Sequence, residues 1–206
     1  MSETLVKFYF AYNSPYAFLA NTRIEKELEP LGATIKYKPV YQPRTGSGGP
    51  DRSSPRMKYI FEDVARFAEA YGLELNMGPL PDTGKACRGF LFAERAGKGK
   101  PYHDRIYQAR WLEGKDIGDD QTLFAIADEC GLSRDAFLEG IKEESPYTLE
   151  LERSNAEAEA DGVFGFPFFV YNGHKFWGND RIEWLAKEIR DQSGRPANRQ
   201  PLWVEN

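Results

Sequence analysis

The sequence predicts an α/β fold in which a β-α-β unit and a β-β-α unit enclose an all-helical insertion. Three observations carry this. Strand-like text lies only toward the two ends of the 206-residue chain, helical periodicity fills the middle, and a serine-proline pair stands where the first strand gives way to a helix. A hydrophobic fraction of 41%, with 14% aromatic residues, is enough for a substantial core.

Thr4 to Ala11 (TLVKFYFA) and Ala33 to Tyr41 (ATIKYKPVY) are rich in β-branched and aromatic residues and read as strands. The helix between them starts at Ser14, an N-cap type, with Pro15 at the first helical position. Phe18, Leu19 and Ile24 recur near helical spacing, and Pro30 and Gly32 mark its end. A β-α-β unit sets its strands parallel with a right-handed crossover. Gln42 to Asp51 (QPRTGSGGPD) reads as a loop. Met57 to Tyr71 then carries Ile60, Phe61, Val64, Phe67 and Ala68 on one side and Asp63, Arg66 and Glu69 on others, with Gly72 as its stop. Helices follow at about 84–97, 102–113, 120–130, 134–143 and 148–160.

Strand text returns at Val163 to Tyr171 (VFGFPFFVY). The turn Asn172-Gly173 and the run His174 to Trp177 complete a hairpin. Asn179 and Asp180 open a last helix over Arg181 to Asp191, with Glu183 set for a capping box. The tail after Gly194 is expected to run extended over the surface. This order is the plan of a thioredoxin-like fold with residues 1–53 and 162–206 as the thioredoxin-like domain and 54–161 as a helical insertion domain. Phe8, Phe10, Phe168 and Val170 are expected to fill the central strands, and Phe90, Phe92, Trp111 and Phe124 the insertion.

A net charge of −5 and a pI near 5.3 argue against nucleic acid or an anionic membrane as partner. The N-terminus lacks the features of a signal peptide, and no apolar run approaches the roughly 20 residues of a spanning helix, so a cytoplasmic protein is expected. Cys87 and Cys130 are too far apart for a CxxC pair and read as reduced, partly buried thiols. His103 and His174, the only histidines, have no ligand partner at helix or hairpin spacing. They read as surface residues, with no metal site.

Three segments carry chemistry. Ser14 stands at the junction of a strand and a helix N-terminus, where unpaired N–H groups favour a negative charge; it would stabilise a thiolate or carboxylate there, or merely cap the helix. Pro167 interrupts an apolar strand and marks an edge, a bulge or a cis peptide. A cis Phe166-Pro167 would leave the Phe166 N–H and C=O free to pair with a peptide-like ligand. Trp177, Gly178, Asn179 and Asp180 form a turn suited to the carboxylate and ammonium of an α-amino acid head, although capping alone also explains Asn179 and Asp180.

With their order and the helical text between, these segments resemble the family of 2-hydroxychromene-2-carboxylate isomerases and kappa-class glutathione transferases. The similarity runs through NSPYAFLA (13–20), KYIFEDVARFA (58–68), RGFLFAE (88–94), ARWLEGKDIGD (109–119), GVFGFPFF (162–169) and FWGNDRIEWL (176–185). It implies a homodimer, glutathione as cofactor, Ser14 as the hydroxyl that holds the glutathione sulfur, Phe166 before a cis Pro167 binding the cysteinyl backbone, and Trp177 to Asp180 holding the γ-glutamyl end. The implied activity is isomerisation of an aromatic pyruvate-like substrate, through addition and later loss of the thiolate. A transferase would use the same site. Arg44 and Tyr16 are candidate substrate contacts, and Trp111 and Trp177 candidate cavity walls. Arg44 to Ser54 lacks the asparagine usual in this family. Two other readings are a thiol-disulfide oxidoreductase, which would need a thiolate where Ser14 stands, and a non-catalytic module that binds glutathione or a peptide.

Overall fold

The computed structural model describes residues 4–42 and 53–192; Arg44 and the tail after Gly194 lie outside them. β1 (Thr4–Phe10) is an interior strand. It runs parallel to β2 (Ala33–Pro39), as the β-α-β reading requires, and antiparallel to β3 (Phe168–Tyr171), whose partner β4 (His174–Trp177) gives the order β2-β1-β3-β4. Phe8 is the pivot of the register, opposite Tyr37 on one side and Phe169 on the other. Covered on both faces, β1 buries Val6, Phe8, Tyr9 and Phe10 together.

Two elements differ from expectation. β3 starts at Phe168 rather than Val163, because Pro167 cannot donate to the ladder; the Phe166-Pro167 peptide is cis. The first helix is broken into α1 (Pro15–Asn21) and α2 (Ile24–Leu28), since Thr22 turns its Oγ1 back onto the Leu19 carbonyl at 2.8 Å. The other helices fall near their predicted places: α3 (Pro55–Ala70), α4 (Gly84–Arg95), α5 (Gly99–Trp111), α6 (Asp120–Glu129), α7 (Arg134–Gly140), α8 (Pro146–Ala160) and α9 (Ile182–Gln192). A 3-10 turn over Asn179–Arg181 takes in the two residues expected to open the last helix and leads into α9. No helix among the described residues is long and apolar enough to cross a membrane.

α5 lies against the sheet, and its helical period turns Tyr102, His103, Ile106, Tyr107 and Arg110 inward. His103 is therefore not at the surface, as its isolation in the sequence implied, but fully buried among the rings of Phe10, Tyr37 and Tyr107, with centroids 4.2, 4.9 and 4.8 Å away. Asn21 donates to Asp104, which turns its Oδ1 toward the imidazole 3.1 Å from Nε2; Nε2 then carries the proton and Nδ1 accepts from the Tyr12 hydroxyl at 3.3 Å. Burial, helped by the Lys100 charge, pushes the imidazole pKa well below its usual value. Trp111 is also core rather than cavity wall: it stacks on Phe18 and donates Nε1–H to the Tyr12 carbonyl at 3.0 Å. Phe8, Phe10, Phe168, Val170, Phe90 and Phe124 are buried as expected, and Phe92 is half-buried against Phe137 and Tyr147. Cys87 is buried and Cys130 half-buried, both as free thiols.

Candidate active site

The turn from β1 into α1 is held from several directions. Ser14 N–H donates to Ala11 at 2.9 Å, Trp111 reaches the Tyr12 carbonyl, and the Asn13 amide donates to the Pro81 carbonyl at 3.1 Å. Ser14 itself has extended backbone angles and caps α1: its Oγ accepts from Ala17 N–H at 3.2 Å. The same hydroxyl donates to the Phe166 carbonyl at 3.0 Å, so it both caps the helix and reaches the segment ahead of β3. The Phe166 C=O is thus not free, as a cis peptide alone would have left it. A ligand that takes the Ser14 proton must replace this bond.

Beside this contact lies a cavity of about 400 Å³ whose wall brings together Tyr16, Phe166, Trp177, Gly178, Asn179 and Asp180. Pro167 lies behind it, with its carbonyl accepting Gly178 N–H at 3.0 Å. That bond occupies one amide of the turn expected to cradle a carboxylate. Gly178 has φ +115°, a conformation open to glycine. Trp177 is 54% exposed and leans on Phe164, itself 70% exposed, with centroids 4.8 Å apart. A Cβ on Gly165 would come within 2.6 Å of the indole Nε1, so a glycine there lets the ring lie down. Asn179 is buried and its amide donates to the Tyr71 hydroxyl at 3.4 Å; it holds the turn and does not face the cavity with a free side chain. Asp180 is exposed and paired with Arg181 at 2.6 Å.

α3 supplies three walls that the sequence reading passed over: Tyr59, Asp63 and Phe67. Asp63 stood on the polar side of an amphipathic helix, which in sequence is the signature of a solvated residue. Only the packing of α3 beside α1 lets it accept the Tyr16 hydroxyl at 2.8 Å. Burial, and then that bond, push the Tyr16 pKa well above the usual phenol value, so the ring keeps its proton. Asp63 and Asp180 outnumber Arg181, the cation in the same wall, which leaves the cavity slightly acidic and suits an ammonium. Cys87 offers no nucleophile, because burial pushes its thiol up to about 12.

Residues 5–190 match the model of the DSBA-like thioredoxin domain. A protein from Sphingobium xenophagum named 2-hydroxychromene-2-carboxylate isomerase is 27% identical over 201 residues, covering 93% of this chain and 100% of that protein. A protein of the same name from Pseudomonas putida is 27% identical over 191 residues, covering 90% and 94%. The solved structure of a 2-hydroxychromene-2-carboxylate isomerase superposes with a TM-score of 0.79 at 26% identity, covering 92% of this chain and 96% of that one. A cytosolic disulfide reductase from Pseudomonas aeruginosa shares the fold with a TM-score of 0.67 at 18% identity, covering 90% and 99%.

Proposed function

Since the chain belongs to the family of DSBA-like thioredoxin domains, we propose that it is a glutathione-dependent isomerase of the 2-hydroxychromene-2-carboxylate type. Its substrate is an aromatic pyruvate-like acid, and Ser14 stabilises the glutathione thiolate. Thiol-disulfide exchange is disfavoured by a hydroxyl at the end of β1 and by a protonated Cys87. The observation that carries the reading is the bond of the Ser14 Oγ, at 3.0 Å, to the carbonyl of Phe166, a residue that lines the same cavity as Trp177 to Asp180. A tripeptide whose cysteinyl unit lies along Phe166 brings its sulfur to Ser14 and its γ-glutamyl ammonium toward Asp180 and Asp63. The relatives' names support the isomerase outcome.

The energetics are modest. A thiol with a pKa near 8.5 is mostly protonated at neutral pH. A hydrogen bond to an ionised group is worth about 1.5–3 kcal/mol against about 0.5–1.5 for a neutral one. Exchanging Phe166 for the sulfur therefore gains Ser14 about 1–1.5 kcal/mol, or about one pKa unit. α1 adds little to this, since Pro15 has no N–H, Ser14 N–H is held by Ala11 and Ala17 N–H by the Ser14 hydroxyl itself.

Calorimetric titration of glutathione into wild type, Ser14→Ala and Asp180→Ala, with thiolate absorbance followed against pH, tests the reading. Wild type binds with a lowered thiol pKa, Ser14→Ala raises that pKa by about one unit, and Asp180→Ala weakens binding by up to about tenfold. Failure of wild type to bind glutathione rejects the proposal. With an aromatic pyruvate as substrate, glutathione recovered unchanged marks an isomerase and its consumption a transferase.

A further inference from the structure

We propose that a second cavity, between the end of β2 and helices α4 and α8, binds an organic carboxylate anchored by the guanidinium of Arg88. The cavity measures about 660 Å³, the size of a small-molecule site. Arg88 is only 7% exposed, yet lines it. Its Nε donates to the Ile141 carbonyl at 2.7 Å; among the described residues the two Nη groups have neither a hydrogen bond nor a carboxylate in ion-pair range. Nη1 lies at the wall, 3.5 Å from where a Cβ on Gly84 would sit. A guanidinium with so little of its residue exposed and both Nη groups unpaired gains from a counter-charge, and its planar fork fits a carboxylate.

The surroundings narrow the ligand. Lys85 is already paired with Asp120 at 2.6 Å, while the Asp82 carboxylate accepts from Gly84 N–H at 2.8 Å and from the Tyr41 hydroxyl at 3.2 Å. Among the described residues of the wall, Arg88 is thus the cation left to a ligand. Asp82, Glu143 and Glu152 stand exposed at the rim and disfavour a densely charged phosphate, whereas Leu151 and the Tyr41 ring offer apolar wall. The wall is built: Asn155 grips Tyr41 by both backbone groups, accepting from its N–H at 3.0 Å and donating to its carbonyl at 2.9 Å. A singly charged acid with an apolar body fits. β2 lies on one side of β1 and β3 on the other, so this cavity and the Phe166–Trp177 cavity flank the strand that leads into the Ser14 turn. Its use as the seat of the second substrate rests on the glutathione reading; the anion site does not.

Phenylpyruvate and its methyl ester, titrated without glutathione into the full chain, provide the test. Wild type is expected to bind the acid at least tenfold more tightly than the ester. Arg88→Gln erases that difference, and Lys85→Gln keeps it. Gly84→Ala, which sets a methyl beside Nη1, weakens the acid and decides the matter should Arg88→Gln not fold. Equal binding of acid and ester by wild type, or full acid affinity in a folded Arg88→Gln or Gly84→Ala protein, overturns the inference. Glutathione titrated into the same proteins separates the two claims: phenylpyruvate bound by a wild type that ignores glutathione leaves this site standing and removes the proposed reaction.

Discussion

Ser14 carries two bonds through one oxygen, and their sizes set what its loss does. An N-cap serine replaced by alanine costs about 1 kcal/mol, and the lost bond to Phe166 adds a similar amount. Ser14→Ala should remain folded, with its unfolding free energy in urea lowered by about 1–2 kcal/mol, so its effect on a thiol pKa can be read apart from folding. Gly89 in α4 gives the opposite lesson. Alanine would improve helix propensity by about 1 kcal/mol, but its Cβ would fall 2.3 Å from the buried Tyr102 hydroxyl and 3.0 Å from Phe137. Overpacking costs of about 1–3 kcal/mol outweigh the gain, and urea denaturation of Gly89→Ala should show net destabilisation. At this scale the sequence made Ser14, Phe166, Trp177 and Asp180 legible, because each belongs to a local pattern of cap, proline or turn. It hid Asp63 and the inward side chain of Asn179, whose partners Tyr16 and Tyr71 are 47 and 108 residues away.

The elements were read with errors confined to their ends, and each error has a local cause that composition does not display. α1 breaks because one threonine hydroxyl competes for a carbonyl. β3 starts late because of Pro167. What no pattern reveals is which helix braces which strand. Ser154 and Asn155 of α8 bond Pro39 and Tyr41, so the last helix of the insertion extends β2 past its final ladder pair. Asn155→Ala removes both bonds to Tyr41, leaving groups whose loss costs about 1–3 kcal/mol. Amide hydrogen exchange should then speed up at Tyr41 while the Phe8 amide on β1 keeps its protection. Uniform acceleration along both strands would show that α8 supports the whole sheet rather than this edge.

Across the molecule, the junction of sheet and insertion is centred on an uncharged imidazole in an aromatic cage, and this sets a pH limit. His103 has a native pKa held well below 6.5, so in acid the unfolded chain takes up a proton that the native one does not. Stability is then complete above pH 6.5 and declines as pH falls from there toward the native pKa, approaching about 1.4 kcal/mol per pH unit. Urea denaturation between pH 7.5 and 5 should show this slope in wild type and a flatter one in His103→Gln. The Glu157 and Asp161 carboxyls act lower still: burial would raise them, but Lys7, Lys38 and Tyr9 together hold them below the usual range, so their contribution is lost only in stronger acid. The fold class was legible because alternation and periodicity report secondary structure; the site was half legible because its other half depends on how the insertion docks. The interior place of β1 has an evolutionary consequence. With walls for one flank drawn from α4 and α8 and for the other from α1, α3 and the β3–β4 hairpin, mutation can remodel either chamber while the other keeps its shape, so descendants of such a scaffold can change clientele by altering one side at a time.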